Sequence, residues 1–350
     1  MIKLIRRAWA VLAVTLACWA PAAWAMGPEV VFATQPASLP DAALSESMRR
    51  DRVLKAGLAA LGMRLVERPF AKGKDMVPLL DGNTLHCALL GDMPTMAAML
   101  RHDAVAVGLL KQAFSSVIGH RIHSMAELKG RSIAYAPGST AHYTLLQGLT
   151  AAGLREADVT LVPMDVSEMP GALAANRVSA FAAWEPAPTI ALDQDRDALV
   201  VHRGLNTAYF VIAGPVRTEA PEVARLLAAS FIRAVIHMRR TETNLHRVAG
   251  WAVAAAERFT GARSSLTPRQ VAAIVHREVL DVPATPLLPP RIADPGQVLH
   301  REFQFLAERG LVDAGAEWSR VRRNFDYSLL VEVSGDAKRW RLDEFDYAED

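Results

Sequence analysis

Short apolar runs alternate with longer segments of helical period along most of the chain, the mark of strands separated by helices. Residues 30–34 read as a strand, and residues 41–61 as a long helix carrying Leu44, Met48, Val53, Leu54, Leu58 and Leu61 on one side. Residues 63–67 give a second strand, 75–80 a short helix, and 85–90 a third strand closing on Gly91-Asp92. Pro94 then opens a helix to Leu100, and residues 104–110 return to strand. The pattern restarts with strand 131–136, the turn Pro137-Gly138-Ser139-Thr140, helix 141–152, strand 159–162, helix 168–175 and strand 178–183. Strands connected through helices predict parallel pairing, and two successive units predict two lobes. Met76, Leu80, Asn83, Leu85 and Asp92 recur at one mutual spacing as Met169, Leu173, Asn176, Val178 and Glu185, so each unit ends a buried strand with an acid at its carboxyl edge. After a strand at 209–213 the chain turns mostly helical (221–239, 244–259, 268–279, 297–308), with a proline-rich linker at 283–290. Residues 335–350 are strongly charged and read as a tail laid on the surface or left mobile.

The beginning of the chain changes the picture. Lys3, Arg6 and Arg7 precede an apolar run that ends in Ala23-Trp24-Ala25, the form of a secretory signal peptide cleaved after Ala25. A membrane anchor is the alternative reading of that run, and Cys18 offers a poor lipoprotein box as another. With those three cations set aside, acids and bases nearly balance, which excludes a general nucleic-acid binder. At 51% hydrophobic and 22% charged, the 350 residues can bury substantial cores, and disorder or fibrous repeats are excluded. Cleavage would leave Cys87 alone, inside an apolar strand, with no disulfide to hold the fold.

In open α/β sheets, ligands bind beyond the carboxyl ends of the strands. That rule selects a few loops. At 137–140, Gly138 allows a tight turn, Ser139 or Thr140 caps the next helix, and free N–H groups there favour an anion or a polar oxygen. A simple cap is the other reading. Asp92, with Thr95 in the first turn after Gly91, either caps its helix or accepts from a ligand. Trp184 and Glu185 offer a flat wall and a carboxylate at the matching edge, Gln35 follows the first strand, and His142 stands at a helix start. No G-x-S-x-G, H-E-x-x-H, P-loop or G-x-G-x-x-G motif occurs, and His120 with His123 make only a weak metal signal. These residues favour binding over turnover, with no cofactor and no metal.

Residues 127–134, Glu-Leu-Lys-Gly-Arg-Ser-Ile-Ala, and 138–146, Gly-Ser-Thr-Ala-His-Tyr-Thr-Leu-Leu, resemble a segment of the aliphatic sulfonate, taurine and nitrate-type substrate-binding proteins of ABC importers. Gly91-Asp92-Met93-Pro94 is similar to that family's G-D-x-P, and residues 178–186, ending Trp184-Glu185-Pro186, to its V-D-A-[WF]-x-x-W-[DE]-P. Gly310-Leu311-Val312 and Asn324-Phe325-Asp326 echo its closing segment, and pyrimidine-precursor binding proteins share the pattern. The resemblance implies a two-lobed α/β periplasmic binding fold of the second type, each lobe a mostly parallel sheet flanked by helices, with two crossover hinge strands. It implies lobe 1 from 26–112 plus 214–334, lobe 2 from 113–213, and crossovers near 111–116 and around Asn206. Gln35, Asp92, Thr95, Ser139, Thr140, His142, Trp184, Glu185 and Asn206 would then line a cleft that holds a small sulfonate-like or nitrogen-containing solute. The expected partner is an ABC permease in the inner membrane, and the expected state a periplasmic monomer that performs no chemistry. An enzyme on the same fold acting on a pyrimidine precursor and a periplasmic sensor component are the alternatives. Ser179 replaces the family's usual Asp, Pro36 to Pro40 replace a Gly-containing loop, and no Arg is placed to clamp a sulfonate.

Overall fold

The computed structural model describes residues 27–349, so the signal sequence, its cleavage at Ala25 and Cys18 lie outside the described residues. Eight strands form one continuous sheet in the order β2 (Arg64–Pro69), β1 (Glu29–Thr34), β3 (Cys87–Gly91), β8 (Ala198–Ile212), β4 (Val105–His120), β7 (Ala180–Ala183), β5 (Ser132–Tyr135), β6 (Thr160–Pro163). β1 pairs in parallel with β2 and β3, and β5 with β6 and β7, as strand-helix-strand alternation predicts. The antiparallel pairs are β3 with β8, β4 with β7, and β4 with β8.

β4 and β8 bind the two lobes into one sheet. They pair from Val105 opposite Ile212 to His120 opposite Ala198, so each runs through both lobes. The largest core gathers residues up to Leu110 and from Ala208 onward, including Phe32, Leu44, Phe210 and Phe231. Two smaller cores, one around Phe181 and one around Leu145, draw on residues between Val117 and Ala198. The long strands change register between Leu109 and Lys111, a bulge at the place where the cores change over.

Most helices match their hydrophobic period, with one instructive break. The expected helix at 41–61 is two helices, Leu39–Arg50 and Arg52–Ala60, parted at Asp51. The Asp51 side chain accepts the Val53 and Leu54 N–H groups at 2.9 and 3.0 Å and so caps the second helix. Its other oxygen accepts two hydrogen bonds from Arg233, at 3.0 and 2.6 Å, and both side chains are fully buried.

That ion pair also anchors the end of the chain. Arg233 Nη1 donates to the Trp340 carbonyl at 2.7 Å, and Trp340 and Leu342 are buried in the main core. Ala348 N–H donates to the Arg50 carbonyl, and Arg52 N–H to that of Asp346. The charged terminal segment is therefore docked on lobe 1 by backbone bonds and two buried apolar side chains.

Removing one partner of a buried ion pair strands the other. Arg233→Ala is expected to cost about 3–5 kcal/mol. Arg52→Ala, whose partner Asp346 is exposed as it is, should cost no more than about 1 kcal/mol. Urea unfolding of both variants checks the contrast.

Candidate functional site

The carboxyl ends of β1, β3, β5 and β7 meet where the lobes face each other across β4 and β8. β3 ends at Gly91, and Asp92 starts the helix Asp92–His102. Asp92 is 1% exposed. Its Oδ1 accepts the Met93 N–H at 2.8 Å and the Thr140 hydroxyl, and its Oδ2 accepts the Thr207 N–H at 3.0 Å. Thr140 begins the helix Thr140–Ala151 after β5, and Thr207 belongs to β8. One carboxylate thus ties a lobe 1 helix to a lobe 2 helix and to a crossover strand. Burial raises its pKa, and the hydrogen bonds and nearby Lys111 oppose that rise.

Ser139 is the cap that the sequence suggested. Its Oγ accepts the His142 N–H at 3.2 Å and donates to the Ala136 carbonyl at 2.7 Å. Gly138 adopts φ +72°, the left-handed turn for which Gly is suited, and its N–H donates to His142 Nδ1 at 3.3 Å. The His142 ring lies 4.5 Å from Tyr135 and 5.4 Å from Phe305, edge on to the latter. Burial pushes its pKa down to about 4, so the ring is neutral at ordinary pH. It packs between the lobes with Nε2 buried and without a partner. Thr95 is fully buried and donates to the Leu90 carbonyl at 3.3 Å.

The bulge in β4 leads to a charged group that sequence reading passed over. Lys111, Ala113 and Ser115 are buried while Gln112 and Phe114 are exposed, the alternation of a strand with one covered face. Lys111 is 4% exposed, with its Nζ 3.5 Å from Asp41 Oδ1 and 3.9 Å from Glu278 Oε2. Burial works against its charge, but these two carboxylates outweigh it and hold the pKa above the ordinary value. Asp41 in turn accepts from Gln35 Nε2 at 3.4 Å. Glu278 is buried in a wide helical turn, His276–Leu280, and Arg277 beside it donates to Glu185 Oε1 at 3.0 Å.

Glu185 therefore joins the same constellation from lobe 2, following β7 and accepting the Thr189 N–H at 3.2 Å. Trp184 is half buried against the Leu145 core, its place as a wall of the cleft being an expectation from sequence. Asn206, opposite Ala113, donates from Nδ2 to Ser115 Oγ at 3.1 Å and leaves Oδ1 without a partner. The structure thus joins Asp92 with Thr140 directly and links Gln35, through Asp41, to Lys111. His142, Ser139 and Thr95 serve packing and capping. Asp41, Lys111, Arg277 and Glu278 were missed. Asp41 reads as an ordinary acid in a first helical turn, and Glu278 as the polar side of a helix. Only the alternation from Lys111 to Ser115 carried a signal.

Elsewhere, exposed pairs span the lobes at the rim: Lys72 with Asp165 at 2.5 Å, Arg309 with Glu156, and Gln270 with Asp193. Cys87 is fully buried in β3 and its thiol pKa is pushed up by burial. His120 bonds Asp195 at 2.5 Å, and no group of three or more metal-ligating side chains forms among the described residues.

A family model described as NMT1/THI5 like matches residues 103–212, the segment from the start of β4 to the end of β8. A protein of Escherichia coli (strain K12) named for binding aliphatic sulfonates is 28% identical over 131 residues, 36% of this chain and 41% of that protein. Among solved structures, the periplasmic aliphatic sulphonate binding protein of Escherichia coli aligns over 84% of this chain and 91% of its own, at 19% identity and TM-score 0.64. The periplasmic nitrate-binding protein of Synechocystis PCC 6803 aligns over 89% of both chains, at 11% identity and TM-score 0.66. The resemblance to the sulfonate-type binding proteins holds in sequence over part of the chain, and the fold is shared with the solved sulfonate- and nitrate-binding proteins. A binding-protein fold is not confined to transport, since a desulfurization enzyme shares it over 89% of this chain and all of its own, at 16% identity and TM-score 0.56. Among the described residues no helix is long and apolar enough to cross a membrane.

One titration tests the burial of Glu278. Burial raises the Glu278 carboxyl to about 7; Lys111 and Arg277 pull it down, and Glu185 and Asp41 push it up. Because the folded chain holds this proton more tightly than the unfolded one, its contribution to stability is complete below about 4.5 and is lost as pH rises through about 7. Glu278→Gln should therefore gain stability relative to the parent chain as pH rises from about 5 to 8. Urea unfolding across that range checks the sign.

Proposed function

We propose that the protein is the periplasmic solute-binding component of an ABC importer, holding a small sulfonate-like or nitrogen-containing solute between two lobes that close around it. The single observation that carries this reading is the Asp92 carboxylate, which accepts the Thr140 hydroxyl from the opposite lobe and the Thr207 N–H from the crossover strand. A polar, interlobe contact at the carboxyl ends of the strands is where this kind of fold receives ligands. On this reading the lobes are 26–112 with 214–334, and 113–213. β4 and β8 act as the hinge, the bulge at Lys111 taking up the bend. Gln35, Asp92, Thr95, Ser139, Thr140, His142, Trp184, Glu185 and Asn206 border the cleft, Ser139, His142 and Thr95 by shaping it. The partner is an inner-membrane permease, and the chain works as a monomer.

The desulfurization enzyme supports a second reading, catalysis on the same fold. The one cysteine among the described residues speaks against a thiol-based step, since Cys87 is sealed in a core strand.

A thermal-shift screen of the exported chain against taurine, alkanesulfonates, nitrate, bicarbonate, pyrimidines, purines and amino acids tests the proposal. A ligand at 100 times its Kd stabilises by about 2.7 kcal/mol, worth a few degrees in a chain of this size. Asp92→Ala and Trp184→Ala should each weaken the binding of a hit by about 1–3 kcal/mol in calorimetry. Full affinity in both variants would place the site elsewhere, and turnover of a hit would establish the enzyme.

A further inference from the structure

The hydrogen-bond inventory of the cleft is lopsided. An anion needs spare donors, and several donors at the two helix starts are already used inside the protein. Gly138 N–H goes to His142, His142 N–H to Ser139, Met93 N–H and the Thr140 hydroxyl to Asp92. Arg277 is bonded to Glu185, and Lys111 faces Asp41 and Glu278. The spare capacity is one donor, the Nε2–H of the neutral His142 ring, against three acceptor oxygens. Asp41 Oδ1 and Glu278 Oε2 have Lys111 at ion-pair distance but no hydrogen-bond donor.

Asn206 makes an independent case. It is 7% exposed, its Nδ2 is engaged with Ser115, and its Oδ1 has no partner. In the β4–β8 ribbon Asn206 stands opposite Ala113, two residues from Lys111, so its side chain and that of Lys111 lie on the same covered face. An unpaired buried carbonyl oxygen costs free energy that a donor from outside would recover. Charge agrees with the inventory: the buried Asp41, Asp92, Glu185 and Glu278 stand against the buried Lys111 and the exposed Arg277, an acidic excess.

We propose that the solute is a cation, a protonated amine whose N–H groups are shared by Asp41, Glu278 and the free carbonyl oxygen of Asn206. This rests on the solute-binding reading and narrows it to the nitrogen-containing side. An ammonium group supplies only donors, which the unpaired oxygens lack, and its charge offsets the acidic excess. A sulfonate supplies only acceptors and would bring negative charge to buried carboxylates.

Isothermal titration with matched pairs of probes decides the matter: ethanolamine against isethionate, butylamine against butanesulfonate, and benzylamine against phenylmethanesulfonate, with nitrate added. At least one amine should bind, its sulfonate partner should bind at least tenfold more weakly, and Glu278→Gln and Asn206→Leu should each weaken the amine at least tenfold. Circular dichroism shows whether each variant is folded. Sulfonate or nitrate binding without amine binding would overturn the inference and leave solute binding intact. Amine binding that folded Glu278→Gln and Asn206→Leu both leave within twofold of the parent would overturn this assignment of the site. Binding of neither class would overturn the inference together with the reading on which it rests.

Discussion

A carboxylate that gives up its water must be met by donors, and Asp92 finds them in three separate parts of the chain. It starts a lobe 1 helix, and its oxygens receive the Met93 N–H behind it, the Thr207 N–H from β8 and the Thr140 hydroxyl from lobe 2. Each of these donors is fixed by its own element: Thr207 by the long β4–β8 ladder, Thr140 by the Ser139 cap. The relative position of the lobes is thus written into one satisfied buried group, since losing any donor would leave part of a charge bare in a dry place. The aromatic contacts of His142 with Phe305 and the rim ion pairs hold the same arrangement, but with less at stake per contact because they are apolar or exposed.

Long β4 and β8 give that arrangement its frame. Because both strands pass through both lobes, a bend in them would move the cores around Phe181 and Leu145 as a unit against the core around Phe210. The bulge beside Lys111 lies at the changeover, where a strand can turn with least disturbance of paired neighbours. Placing a charged side chain there has a consequence for the hinge reading: any bend at this point also moves the Lys111 ammonium relative to Asp41 and Glu278.

The short strands and the helices on their faces were legible in the sequence because burial on one face produces a plain period. β1 and β3 and the helices Pro221–Arg240 and Glu242–Thr260 fall within a few residues of their expected places. Most of β8 was not legible: the expected strand began only at 209, and residues 198–204 include His202 and Arg203 on a ribbon half open to water. The extension of β4 past Leu110 was hidden in the same way by Lys111, Gln112 and Ser116. Asp92 and Thr140 were accessible to sequence reading because each sits at a strand end beside a turn residue. Asp41 and Glu278 were not, because what makes them notable is a shared neighbour, Lys111, distant from Glu278 in sequence and joined to it only by the fold.

Fold and ligand are separable here, and the side chains show why. The same backbone frame serves proteins named for sulfonate and for nitrate, so helix starts at strand ends are common to all and discriminate little. What discriminates is whether the N–H groups at those helix starts are free. In this chain Ser139 and His142 take up two such groups at one helix start, and Asp92 takes up another at its own. Lys111 is surrounded by carboxylates that raise its pKa and leave its charge already answered. An anion entering such a cleft would lose its hydration beside the buried carboxylates Asp41, Asp92 and Glu278. On the proposed reading a cation meets the opposite situation: its water is exchanged for carboxylate and amide oxygens with room for a further donor, and closure of the lobes strengthens the attraction by lowering the local dielectric.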